Sequence, residues 1–359
     1  MIDRELDQQK LEAYVQKVMG NITAGMTTVI SAVGDKLGLY QAIHKLHSTT
    51  SEELARETSL SERWLREWLR HQACAGLIEY EADSDRFSLS PEAVVVLLDE
   101  THPSNFAGGF EGIVSTFGSL PQLAEAFHSG LGLSYDDHGE GCASGIERMT
   151  AWSKEYMLVP KILPMVPGIV EKLERGVMVA DVGCGAGRAL IVMAESFPNS
   201  TFVGYDTSEH ALARGNNSLS TLGLDNIRFV NPDEEAMPQV GTFDLITTFD
   251  VVHDVPYPAE LIAAIFDALK ADGVWLCEDI KSFPSFKDNL DQNPMATLMY
   301  GFSMLVCLSS SMSRPDGAGL GTLGFNEDVA RTMTREAGFA QFSRLDYENP
   351  MNNFYLIHR

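Results

Sequence analysis

Val179-Ala-Asp-Val-Gly-Cys-Gly-Ala-Gly-Arg188 constrains this chain more than any other stretch. An apolar strand there runs into three glycines and then directly into the helical pattern Ala189-Leu-Ile-Val-Met-Ala-Glu-Ser196. Gly183, Gly185 and Gly187 lack Cβ atoms, so the backbone can bend sharply and a ligand can lie against bare main chain at a helix N-terminus. A second strand, Thr201-Phe-Val-Gly-Tyr-Asp206, ends on an acid about 20 residues past the glycines, the position from which a carboxylate takes a ribose hydroxyl pair. The expectation is a nucleoside-containing cofactor. Gly183-Cys-Gly-Ala-Gly187 has the spacing G-x-G-x-G, whereas a pyrophosphate binder has G-x-G-x-x-G, and Asp181 would place a negative charge close to any phosphate. That charge suits a ligand carrying an ammonium and a sulfonium.

These residues resemble the class I S-adenosylmethionine-dependent methyltransferases, whose first motif has the form D-x-G-x-G-x-G. Asn226-Ile-Arg-Phe-Val-Asn-Pro-Asp233, followed by Glu234-Glu-Ala-Met-Pro238, resembles their third strand and adenine-edge loop. Phe243 to Asp250 resembles their fourth strand and Ala271 to Asp279 their fifth. The resemblance implies an α/β fold, a Rossmann-like seven-stranded domain, with S-adenosyl-L-methionine as cofactor. It also implies site roles: Asp206 at the ribose, Asp233 or Glu234 at the adenine edge and Gly183 with Phe249 at the methionyl part, with Asp181, Gly185 and Thr207 also expected to bind the cofactor.

Upstream, the chain is expected to divide near residues 100 and 175. Tyr14, Val18, Ile22, Met26, Ile30, Val33 and Leu37 recur at helical spacing and predict buried helix faces. Thr50-Ser-Glu-Glu53 is a capping-box pattern, Ser59 to Leu69 restarts a second helix, and Gly76 to Tyr80 with Arg86 to Leu89 resembles a two-stranded wing. The expected organisation is therefore a winged-helix dimerisation domain over 1–100, a helical linker and acceptor-pocket segment over 101–175, and a methyltransferase domain over 176–359 with a cap at 281–325. The cap is rich in Met and aromatic residues, including Phe283, Phe286, Met299, Tyr300 and Met304. Asp35-Lys-Leu-Gly-Leu-Tyr40, Arg63-Trp-Leu-Arg-Glu-Trp-Leu69, the His253-Asp254 pair and Gly319-Leu-Gly321 extend the resemblance over the whole chain, to bacterial methyltransferases that join such a module to a class I domain.

Composition narrows the partners. A net charge of -24 argues against a phosphate-backbone ligand, because nucleic-acid affinity comes mainly from clustered Lys and Arg. Arg63, Arg66 and Arg70 on the second helix leave a DNA-reading regulator as the rival class, but Glu62 and Glu67 share that helix. The charged start, Met1 to Lys10, has no apolar run, so neither leader nor membrane span is expected, and five scattered cysteines without a C-x-x-C pair fit a reducing cytoplasm. A homodimer through the N-terminal module is expected from the resemblance.

Methyl transfer from a sulfonium is an in-line displacement that needs positioning in a dry pocket. A small-molecule acceptor is expected. If it is a hydroxyl, a base must take its proton, and His253 is the candidate catalytic residue because imidazole titrates near neutrality. If it is a thioether, no proton leaves: Trp152, Tyr156, Phe249 and Tyr300 would then shield a developing sulfonium, with Arg148, His253 or Tyr257 on an acceptor carboxylate. Within the resembling group, the acceptor expectation is a carboxylated thioether, 4-methylthio-2-hydroxybutyrate, methylated at sulfur in dimethylsulfoniopropionate synthesis; the alternative is O-methylation of a hydroxylated metabolite. His138, Glu140 and Cys142 are close in sequence but lack zinc-ligand spacing, and no metal site is expected.

Overall fold

The computed structural model describes residues 6–359, so the first half of the charged N-terminal run lies outside the described residues. The chain forms two compact units. One comprises residues up to Val114 together with Ser144–Met149; the other comprises Ser115–Ala143 and Thr150–Arg359. The expected linker segment 101–175 is thus no body of its own. Its helices are shared out, and in the first unit they meet at glycines: a Cβ on Gly145 would lie 2.3 Å from the Gly112 nitrogen.

In the first unit, α1 (Gln8–Lys36) and α2 (Leu39–Leu46) precede β1 (Ser48–Thr49), α3 (Ser51–Thr58), α4 (Glu62–Cys74), β2 (Glu79–Glu81) and β3 (Arg86–Ser88). The capping box forms as expected, with Thr50 and Glu53 each bonding the other's backbone N–H. The wing is a three-stranded sheet in the order β1-β3-β2, since Ser48 and Thr49 pair with Ser88 and Phe87. Leu39, Tyr40, Ile43, Leu54, Leu65 and Leu69 are buried around it. The α1 expectation is corrected: Tyr14, Val18, Ile22, Met26, Val33 and Leu37 are between 42% and 68% exposed. Helical spacing marks an apolar face, but among the described residues that face stays exposed.

The second unit is built on a seven-stranded sheet. In chain order its strands are β4 (Met178–Val182), β5 (Thr201–Tyr205), β6 (Ile227–Val230), β7 (Phe243–Phe249), β8 (Leu269–Ile280), β9 (Gln341–Arg344) and β10 (Asn352–His358). They lie in the order β6-β5-β4-β7-β8-β10-β9, parallel except for β10, which pairs antiparallel with β8 and β9. Parallel strands covered on both faces read as continuous apolar runs, and two clusters of buried side chains accordingly pack on the sheet, one around Leu190, Phe202 and Leu245 and the other around Val203, Ile246 and Trp275. This is the class I methyltransferase architecture. It brings Asp181, Asp206, Asp250, Glu278 and Asp279 to the carboxyl ends of neighbouring parallel strands, where open α/β sheets bind ligands.

Candidate active site

The glycine turn is explained partly by packing. A Cβ on Gly183 would sit 2.3 Å from Val251 and one on Gly187 2.0 Å from the Phe229 ring, so both glycines are required by their neighbours. Gly185 differs. Its φ is +56° and a Cβ there would meet nothing within 4 Å, which makes it the one glycine of the three that bares main chain to open space. Its N–H donates to Asp206 Oδ2 at 2.7 Å, while Oδ1 accepts from the Ser208 N–H at 2.8 Å. Each carboxylate oxygen can accept a second hydrogen bond, so Asp206 remains able to take a hydroxyl pair beside Gly185. Burial raises its pKa, and the N–H donors of Ser208, Gly185 and Thr207 pull it back down. Asp181 is fully buried at the end of β4 and accepts from Thr247 Oγ1 at 2.7 Å; burial pushes it up to about 7 against that hydrogen bond. Asp233 and Glu234 are exposed on a turn in which Asn231 accepts the Asp233 N–H. Bare backbone, a buried acid and an exposed acidic turn follow one another along the edge, a donor set that fits an adenosyl ligand carrying positive charge.

Beyond β7 the polarity concentrates. Asp250, at φ +59°, accepts from Asn352 Nδ2 at 2.6 Å. Lys154 pairs with Glu278, both almost fully buried, and its ammonium lies 4.0 Å from the Phe249 ring centre. Lys154 stands in a π-helical stretch, Ser153–Ile162, whose wide turn accommodates Pro160. Burial and the charge of Glu278 raise Asp250, so it keeps its proton readily, with Lys154 opposing. Next to this pair, His253 Nδ1 is 2.6 Å from Asp279 Oδ1, and Nε2 is 3.2 Å from Asp254 Oδ1. Burial alone would lower the His253 pKa, but the carboxylates of Asp279 and Asp254 outweigh it and hold the proton well above the usual histidine range. The loop before helix Glu140–Trp152 closes in from another side. Burial raises the Tyr135 phenol, and Cys142, Asp254, Asp206 and Cys307 add to that field. Asp136 accepts the Glu209 N–H at 3.0 Å, and the Gly132 N–H donates to the Met312 carbonyl at 2.9 Å.

Several expected acceptor residues are spent elsewhere. Arg148 is in the first unit, where its guanidinium bonds Asp35 at 2.7 and 3.1 Å, Glu111 at 3.0 Å and Glu100 at 3.1 Å, which commits it to those acids. Tyr257 donates its hydroxyl to the Pro315 carbonyl at 2.7 Å, tying down the cap. Tyr300 packs edge-on against exposed Phe286, ring centres 6.0 Å apart, and Tyr156 is exposed. Trp152 is half-buried at the end of its helix, and the Phe249 face already carries the Lys154 ammonium. Sequence reasoning missed Lys154, Asp250, Glu278, Asp279, Tyr135 and Cys307. The only legible signal was a pair of acids, Glu278-Asp279, closing an otherwise apolar strand.

Residues 173–321 match the family model described as a methyltransferase domain, and residues 24–98 match an Rv2258c-like winged HTH domain. Residues 173–321 are a methyltransferase domain. Over 96 residues the chain is 31% identical to the trans-aconitate 2-methyltransferase of Deinococcus radiodurans, which covers 27% of this chain and 35% of that protein. The chain spans about a third to a half of the length of the curated relatives it matches. Human N-acetylserotonin methyltransferase, solved with S-adenosylmethionine, superposes with a TM-score of 0.68 at 16% identity, covering 100% of this chain and 99% of that one. Mitomycin 7-O-methyltransferase superposes at 0.66 and 16% identity, covering 98% and 100%. At that identity the likeness is one of fold. The methyltransferase domain and the winged module therefore occur in one chain with the same architecture as these two enzymes.

Proposed function

We propose that the chain is an S-adenosylmethionine-dependent methyltransferase acting on a hydroxyl group of a small molecule. His253 carries the hydroxyl reading. With Nδ1 held by Asp279, Nε2 is the nitrogen left to take a proton, and a base fixed in orientation by a buried carboxylate is what a hydroxyl acceptor requires. S-adenosylmethionine supplies a methyl group on positively charged sulfur. Asp206 and the Thr207 backbone take the ribose, Asp233 or Glu234 the adenine edge, and Asp181 with Gly183 and Gly185 the methionyl end. Phe249, backed by Lys154, closes the wall. His253 first gives up its resting proton and then accepts the acceptor's proton at Nε2, so the rate rises toward alkaline pH. The likeness to mitomycin 7-O-methyltransferase supports the same class.

S-methylation of 4-methylthio-2-hydroxybutyrate would need a free cation for the carboxylate and no base at all. Arg148 is claimed by three acids and Lys154 by Glu278, which favours the hydroxyl. A regulator is disfavoured too, because Arg63 pairs with Glu67 and Arg66 with Glu62 on α4. We also place a homodimer interface on the exposed apolar face of α1, and a cytoplasmic location on five unpaired cysteines, four of them buried. No described helix is long and apolar enough to cross a membrane. The deciding experiment is a screen with methyl-labelled S-adenosylmethionine over phenols, hydroxy acids and carboxylated thioethers. Label in an ether supports the proposal; label confined to a sulfonium product returns the thioether reading.

A further inference from the structure

The geometry points to a divalent transition-metal site formed by His253, Asp254 and Cys307. One donor atom from each, a ring nitrogen, a carboxylate oxygen and a thiol sulfur, lie within 4.8 Å of one another. Asp279 occupies Nδ1, which leaves Nε2 to face the other two. Nε2 and Asp254 Oδ1 are 3.2 Å apart, and Oδ1 is buried with no partner besides this ring. The two atoms form an ion pair while His253 is protonated, and their separation is also that of the edge of a coordination tetrahedron: with ligand bonds of about 2.0–2.1 Å, that edge is about 3.3 Å. Cys307 comes from the π-helical turn Ser303–Cys307 of the cap, so the third donor is brought in by a distant part of the chain.

The surroundings have the form of a second shell. A carboxylate behind the far nitrogen fixes the ring and raises its basicity, the usual arrangement for a metal-bound histidine, and Asp279 stands there. One nitrogen, one oxygen and one sulfur make a borderline-soft set, which selects Zn²⁺ or Co²⁺ over Mg²⁺ or Ca²⁺, ions that require oxygen donors. Three protein ligands leave a fourth position for water. Tyr135, His138 and Cys142 also face Asp254 electrostatically, and His138 Nδ1 is buried without a partner. A metal binds the imidazole as the neutral ring and the thiol as the thiolate, so loading releases protons and is coupled to pH. The site stands on its donor set and holds for any acceptor. Occupancy takes Nε2 out of proton transfer, so loaded protein loses its base.

The test uses the full chain stripped with a chelator and then titrated with Zn²⁺ alone by calorimetry in buffers of different ionisation enthalpy. One site of micromolar or tighter affinity is expected, with proton release on binding. Co²⁺ should give a thiolate-to-metal charge-transfer band. Cys307→Ser should abolish the band and weaken Zn²⁺ at least about tenfold, whereas Cys74→Ser, at an exposed thiol, should leave both intact. Affinity no better than millimolar in the unmodified chain, or a band that survives Cys307→Ser, would overturn the site whether or not the protein methylates a hydroxyl.

Discussion

Replacing Lys154 by methionine tests the electrostatic logic of the site without reference to any acceptor. The Lys154 and Glu278 side chains are 8% and 3% exposed, so neither charge is compensated by water. Methionine keeps the length and the contact with Phe249 but leaves the Glu278 carboxylate buried and alone. Breaking a buried pair from one side costs about 3–5 kcal/mol, whereas exchanging both partners for apolar residues is often neutral or better. Asp250 adds no second penalty, because burial and Glu278 already favour its protonated form. Lys154→Met should therefore lose about 3–5 kcal/mol in denaturant unfolding, and Lys154→Met with Glu278→Leu should regain most of it. A single variant within about 1 kcal/mol of the parent, or a double variant no more stable than the single, would refute the claim that this pair is dry and mutually dependent.

The donor end gives sharper outcomes. Burial pushes Asp181 up to about 7, and a cationic ligand prefers its ionised form; S-adenosylmethionine affinity should therefore be full above pH 7 and fall up to about tenfold per pH unit below it, a slope that Asp181→Asn should flatten in calorimetry. Asp206→Ala removes an acceptor of two backbone N–H groups as well as the ribose partner, so binding should weaken by more than about tenfold, at about 1.5–3 kcal/mol per charged hydrogen bond; unchanged affinity would sink the ribose assignment. Positive φ strains alanine at both Gly183 and Gly185 by about 1–2 kcal/mol; Gly183→Ala should lose about 1–3 kcal/mol more through its clash with Val251, while Gly185→Ala, which meets open space, should add only a loss of ligand affinity, and melting curves with and without S-adenosylmethionine separate the two. His253→Ala should abolish transfer to a hydroxyl acceptor but spare transfer to a thioether, read as product formation from labelled donor.

Local signals fixed in advance what is local. The strand runs around Val179, Phe202 and Ile246 fell where expected, because a parallel strand covered on both faces is apolar nearly residue after residue. The capping box at Thr50 and the glycine turn were legible for the same reason. Arg148 shows where such reading stops. A lone arginine near the catalytic half looks like an anion clamp until Asp35, 113 residues away, claims it. Lys154 and Glu278 are separated by 124 positions and carried no mutual signal. Tyr14 and Val18 failed differently: their period marks an apolar face, but it cannot say whether this chain or another one buries it.

Gly183 and Gly187 qualify the feature with which the reading began. Three glycines after an apolar strand pointed to a ligand, yet two of them are demanded by Val251 and Phe229, and only Gly185 leaves its missing side chain as empty space. A motif can thus be right about function while most of its residues serve packing. The acceptor side reverses the situation. Asp279 and Cys307 share no spacing with the adjacent pair His253-Asp254, but the fold gathers all four around one imidazole, whose Nε2 can hold a proton or a metal and never both. Which of the two it holds decides whether Nε2 can serve as a base, so the calorimetric titration and the acceptor screen bear on one atom from opposite sides.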